Sequence, residues 1–304
     1  MPYNFDEVID RRKTNSVKWR FYGPDVLPLW VADMDFRAPE PVRHALRAAV
    51  DHGIFGYEFL TDELRQIIAS RLETLYQWKV SPGAILPTPG VIAGFTAAAR
   101  TACSTGQGIL VQPPVYPPFL SVHDRTHRVL QQAPLRCLPQ DHLIRYEIDW
   151  DAFQHALHAG GAQTGMFLLC NPHNPIGQAF PRSDLERMAG MFPAGETIIC
   201  SDEIHAELLL GGTQHFPIAS LDPSFAQKTI TLIAPSKTFN IPGLFSAFAI
   251  ISGDDLRKRF TRALEEMALH VNSLGLIAAR VAYSGACDDW LFALRDYLTR
   301  NRDF

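Results

Sequence analysis

Lys237 stands directly after the apolar run "LIAPS", an ammonium at the end of what reads as a core strand. Burying that charge is costly unless it is paired or chemically neutralised. Other apolar runs end on equally reactive side chains. "IICSDEIH" delivers Asp202 and His205, and "LLCNPHNPIG" delivers Asn174. "QPPVYPPF" holds Tyr116 between prolines, and "PTPGVIAGF" starts a helix pattern at Gly90 and Val91. Singly, each has an ordinary structural explanation: a strand-end Asp caps the next helix, Asn-Pro marks a turn, and a Tyr among prolines packs a loop. Joined on one rim, an amine, a carboxylate, an amide, an aromatic ring and an anion-binding helix N-terminus suit a charged, ring-shaped, phosphorylated cofactor.

The elements that must position these groups are visible as an alternation. "QGILVQPP", "GMFLLCNP", "ETIICSDE", "KTITLIAP" and "LFSAFAIIS" are short apolar runs that end in small, polar or proline residues. Between several of them lie helical patterns, such as "PGVIAGFTAAARTAC" and "PRSDLERMAGMF", the latter with Ser183 and Asp184 as capping candidates. Continuous apolar strands alternating with helices predict an α/β fold with a mostly parallel sheet covered on both faces. In such sheets a ligand lies beyond the carboxyl ends of the strands. The first 45 or so residues, with their prolines, aromatics and the acidic pair of "VADMDF", read as an extended arm.

Composition limits the alternatives. The chain has 304 residues, 47% hydrophobic and 20% charged, which is ordinary for a soluble enzyme. A formal net charge of −4 offers no basic field for nucleic acid or anionic lipid. The polar opening lacks a signal-peptide core, and no apolar run is long enough to span a bilayer. The five cysteines are scattered without a C-x-x-C pair, so a reduced, cytoplasmic setting is expected. No P-loop or G-x-G-x-x-G is present. Asp33, Asp35, Asp202, Glu203 and His205 are metal-ligand types, but alternation along a strand sends Asp202 and Glu203 to opposite faces, and no metal is expected.

"VADMDF", "GIFGY", "NPHNPIG", "SDEIH" and "APSKTFNIPGL", in that order, resemble the fold-type I pyridoxal-phosphate enzymes. Within the class I/II aminotransferase-like proteins they are similar to the MalY/PatB-type cystathionine, or cysteine-S-conjugate, β-lyases. The resemblance implies that Lys237 forms a Schiff base with pyridoxal 5'-phosphate, its pKa lowered by partial burial so that the free amine is available. Asp202 would pair with the protonated ring nitrogen, Asn174 would donate to the ring's phenolic oxygen, and Tyr116 would stack on the ring. Gly90, Val91 and Ser236 would hold the phosphate, joined by Tyr57 from a neighbouring subunit, which implies a homodimer. His205 falls near the ring oxygen. Where many fold-type I enzymes carry a hydroxyl and an arginine around the lysine, this chain has Ala234 and Phe245.

The implied reaction is carbon–sulfur lysis of a small sulfur-containing amino acid, releasing a thiol, pyruvate and ammonia. An aminotransferase of the same fold, or a truncated chain with little activity, are the alternatives. The implied domains are an N-terminal arm belonging in part to a small domain (1–45), a large cofactor domain (46–285) and the start of an interdomain helix (286–304). Relatives continue for roughly eighty to a hundred residues more, the length of a small domain. The small domain is therefore expected to be largely missing, with the arginine that grips the substrate carboxylate. Arg11, Arg12 and Arg37 in the arm are expected to be solvated.

Overall fold

The computed structural model describes residues 3–140, 143–157, 159–192 and 197–304. Its seven-stranded sheet contains β1 (Ile85–Thr88), β2 (Gly108–Val111), β3 (Val129–Gln132), β6 (Thr164–Cys170), β7 (Ile198–Asp202), β8 (Thr229–Ile233) and β9 (Ala247–Ile250). A separate antiparallel ribbon is formed by β4 (Arg136–Gln140) and β5 (Leu143–Glu147). The order across the large sheet is β1-β9-β8-β7-β6-β2-β3. The β3–β2–β6–β7–β8 pairings are parallel, and β9 runs against both of its neighbours. The mostly parallel sheet expected from the apolar runs is present, including β6, β7 and β8, whose residues are all buried.

Alternation along the strands feeds separate cores on the two faces. Met166, Leu168, Cys200 and Leu232 pack with Phe95 of the Val91–Ala102 helix and Phe260 of the Asp254–Glu266 helix. Phe167, Leu169 and Ile199 face the other way, against Phe153 and Leu185. A third cluster joins Phe248 and Ile250 to the Asp62–Tyr76, Ser273–Tyr283 and Asp288–Asp303 helices. On the last of these, Trp290, Leu291 and Leu294 are buried, with Tyr297 and Leu298 packed partly beside them, as the helical spacing predicts.

Two local expectations change. Ser183 and Asp184 do not cap their helix: it spans Arg182–Gly190, Pro181 holds the cap position, and Asp184 lies in the first turn. Pro181 has its φ fixed at −66°, near the helical value, and the start lies two residues earlier than capping by Ser183 would give. The segment before residue 40 contains a short helix, Val17–Arg20, within otherwise irregular chain. It is anchored by Phe5, whose ring packs against Phe36 and Trp290 at centroid distances of 5.1 and 5.8 Å.

Candidate active site

Three neighbouring strands end at one level. Cys170 of β6 is in register with Asp202 of β7, which is in register with Leu232 of β8. Backbone bonds continue the alignment past the strand ends, with Asn171 N–H donating to the Asp202 carbonyl at 3.0 Å and Glu203 N–H to the Leu232 carbonyl at 2.9 Å. The loop bearing Asn174, the Asp202 carboxylate and the Pro235–Thr238 helical turn bearing Ser236 and Lys237 therefore emerge together. Tyr116 enters from the next strand, β2, as the residue that begins the Pro117–Thr126 helix.

Lys237, Asp202, His205 and Tyr116 also act on one another through their charges. Asp202 is 3% exposed, and burial pushes its carboxyl up to about 7. The Ile204 N–H donates to it at 3.1 Å and, with the Lys237 charge, partly offsets burial, while Glu203 adds to the rise. Burial lowers the Lys237 amine from its ordinary value, against the pull of Asp33 and Asp202. His205 is pushed down to about 4, first by burial and then by the Lys237 charge. Burial raises the Tyr116 phenol, and Asp202 raises it further. Asn174 is half-buried, its backbone N–H directed to Cys170 Sγ at 3.4 Å.

The Val91–Ala102 helix points its N-terminus at the same rim. Gly90 precedes it at φ 110°, a backbone conformation that favours glycine, and no side chain caps the helix. The first N–H groups of a helix have no intrahelical partner. A Cβ built on Gly90 would meet nothing within 4 Å, so the space before those groups is open. One turn further, a Cβ on Gly94 would come within 2.8 Å of Leu232 Cδ2, and this glycine lets the helix lie close against β8.

Tyr57 is not brought to this rim within the chain. Its side chain is fully exposed, with its ring 6.4 Å from that of His270. Conversely, Asp33 acts on Lys237 although the sequence suggested it only as a metal-ligand type. Asn240, inside the motif "SKTFN", carries three side-chain bonds to the arm. Its signal was a residue tolerant of left-handed backbone directly after a short helical turn, and Asn240 has φ 55°. Arg11 is not solvated as expected, since it bridges Asp33 at 2.6 Å and Asp35 at 2.7 Å. Arg12 and Arg37 are largely exposed.

The donor set fits pyridoxal phosphate. Among the described residues, Asp202 has no cationic side chain within ion-pair distance, leaving a buried carboxylate suited to a protonated ring nitrogen. The uncapped helix with open space beside Gly90 suits a phosphate, and Lys237 offers an amine depressed by burial.

Known proteins agree. The chain matches the family described as aminotransferase class I and II over residues 24–304. It is 38% identical to cystathionine beta-lyase PatB of Bacillus subtilis, with 98% of this chain and 77% of PatB covered. Crystal structures of cystalysin from Treponema denticola, containing pyridoxal 5'-phosphate, and of a PLP-bound C–S lyase from Staphylococcus hominis superpose with TM-scores of 0.89 and 0.88, each at 30% identity. The first covers 97% of this chain and 75% of cystalysin, the second 98% and 75%. The chain belongs to the aminotransferase class I and II family and has the fold of the type I pyridoxal-phosphate enzymes.

Proposed function

We propose that the chain is a pyridoxal-phosphate-dependent carbon–sulfur β-lyase that takes cystathionine or a related cysteine S-conjugate to a thiol, pyruvate and ammonia. The observation that carries this reading is the strand register that brings the buried carboxylate of Asp202 and the turn bearing Lys237 out together at one end of the sheet. The names of the relatives, a cystathionine β-lyase and a C–S lyase, supply the reaction class.

In this reading Lys237 would hold the cofactor through its amine and Asp202 would pair with the ring nitrogen. Asn174, with His205, would serve the ring's phenolic oxygen, and Tyr116 would pack on the ring. Gly90, Val91 and Ser236 would take the phosphate. Bound there, the cofactor supplies an electron-accepting ring that loosens the Cα proton of an amino acid. Lys237, whose Nζ is the amine of the site, would accept that proton. Its depressed pKa leaves more of the amine unprotonated for that step. The electron pair of the Cβ–S bond leaves with sulfur, a proton completes the thiol, and one water is consumed as pyruvate and ammonia form. Asp202 would favour the protonated, electron-accepting form of the ring.

We also infer a homodimer in the cytoplasm. Ile54, Phe55, Tyr57 and Phe59 are 61–100% exposed along one segment, an apolar strip that favours cover by a second copy. All five cysteines are free thiols, which supports a reducing compartment. Among the described residues no helix is long and apolar enough to cross a membrane.

The test is an absorbance titration with pyridoxal phosphate beside Lys237→Ala, followed by cystathionine without any keto acid. A visible band confined to the wild type, and pyruvate released without an acceptor, are the expected results. Pyruvate that appears only with a keto acid would favour the aminotransferase alternative, and the absence of a band would sink the cofactor assignment.

A further inference from the structure

The turn that carries Lys237 is tied to a segment 206 positions earlier in the chain. Asn240 Oδ1 accepts the Met34 N–H at 2.9 Å, and Asn240 Nδ2 donates to the Met34 carbonyl at 2.9 Å and the Phe36 carbonyl at 2.7 Å. Both donors and the acceptor of one side-chain amide are thus spent on one stretch of backbone. That stretch is ordered from its other side by charge. Arg11 reaches Asp33 Oδ2 and Asp35 Oδ1, Lys18 Nζ donates to the Asp33 carbonyl and to Asp35 Oδ2 at 2.8 Å each, and Trp19 Nε1 donates to Asp35 Oδ1 at 2.8 Å. Asp33 adjoins the bonded Met34, and its negative charge acts on Lys237 ahead of that of Asp202.

We propose that Asn240 is a positioning residue that acts through Asp33: by fastening the Met34–Phe36 backbone to the chain just after the turn bearing Lys237, it holds the adjoining Asp33 carboxylate near enough to that turn for its charge to bear on the amine. The consequence for catalysis rests on the reading of Lys237 as the reacting amine. A lysine that takes up a proton in buried surroundings gains from a fixed counter-charge, and a carboxylate held by Arg11, on a backbone held by Asn240, supplies one without reorganisation. Among the described residues the charged and titratable groups that act with Lys237 are Asp33 from the arm, Asp202 at the end of β7 and His205 beyond it, with Arg11 on Asp33.

The experiment is the pKa of Lys237 in the cofactor-free chain, read by NMR of 13C-methylated lysines, with the signal assigned through Lys237→Arg. Asn240→Gly removes the amide while suiting the positive φ, and Asp33→Asn removes the charge while keeping the shape. Each is expected to lower the Lys237 pKa by about half a unit or more, and the two together no further than either alone, since both act through one contact. A shift with Asp33→Asn but none with Asn240→Gly would reduce Asn240 to a structural tie and overturn the proposal. So would no shift with Asp33→Asn. The lyase reading fails separately: a wild type without a visible cofactor band but with both pKa shifts would sink that reading and leave this one.

Discussion

Glu203 follows Asp202 directly in sequence, yet its carboxylate lies 2.7 Å from His215 Nε2, with both side chains 1% exposed. Ser201 Oγ donates to the same carboxylate at 2.9 Å, and the Ile218 N–H at 3.4 Å. The strand thus sends Asp202 toward the candidate cofactor site and Glu203 away from it. The second carboxylate binds the chain from 203 to 218 behind the first. Removing one partner leaves a buried carboxyl short of a hydrogen bond, at a cost of about 1–3 kcal/mol. His215→Ala should lower the urea midpoint of unfolding accordingly, with no change in the position of the cofactor band under native conditions. A midpoint equal to that of the wild type would show that the pair contributes nothing net.

The raised carboxyl of Asp202 makes stability depend on pH in a known direction. Its folded value, about 7, lies above the ordinary value of 3.8, so the folded chain binds more protons than the unfolded chain between those values. Stability from this group is then full below about pH 4 and is lost as pH rises through about 7. Three pKa units correspond to a few kcal/mol at most, on the order of 4. Asp202→Asn should flatten that part of the cofactor-free stability profile measured by denaturant unfolding. The same variant should lower lyase turnover on the order of a hundredfold or more, because the ring nitrogen loses its partner. An unchanged pH profile would mean that Asp202 is solvated in the cofactor-free chain.

The strands were legible because β6, β7 and β8 are buried on both faces and spell continuous apolar runs, and their polar terminations marked the rim. The positions of Lys237, Asp202, Asn174, Tyr116 and Gly90 in the fold were legible for the same reason, each following a recognisable strand or opening a helix. Asp33 and Asn240 were not. Their meaning depends on a contact across 206 positions, and no local periodicity reports such a contact. Nor does local sequence report the pairing of Arg11, whose carboxylates are 22 and 24 positions away on an irregular segment.

Two glycines of the same helix should fail in different ways. Gly90→Ala meets no neighbour, so its cost is the strain of a side chain at φ 110°, about 1–3 kcal/mol, together with a displaced helix N-terminus. Gly94→Ala meets Leu232 at 2.8 Å and should cost about 1–3 kcal/mol by overpacking the helix against β8. Thermal unfolding measures both. Affinity for inorganic phosphate, followed by competition with pyridoxal phosphate, should fall more for Gly90→Ala. Equal losses in phosphate affinity would argue against Gly90 as part of the anion site.

Tyr57 separates what one chain does from what two chains do. Its side chain is fully exposed, so Tyr57→Ala should change the unfolding free energy of the isolated chain by less than about 0.5 kcal/mol. If a second copy covers the 54–59 strip and brings Tyr57 to its neighbour's phosphate site, the same variant should weaken pyridoxal-phosphate affinity. It should also shift the concentration dependence of the dimer in sedimentation. Mixing Tyr57→Ala with Lys237→Ala chains gives the sharpest reading. Hybrids then contain one site with an intact lysine served by an intact Tyr57 from the other chain, alongside one site lacking both. Activity restored on mixing two weak variants would establish the exchange, and its absence in a proven hybrid dimer would remove Tyr57 from the site.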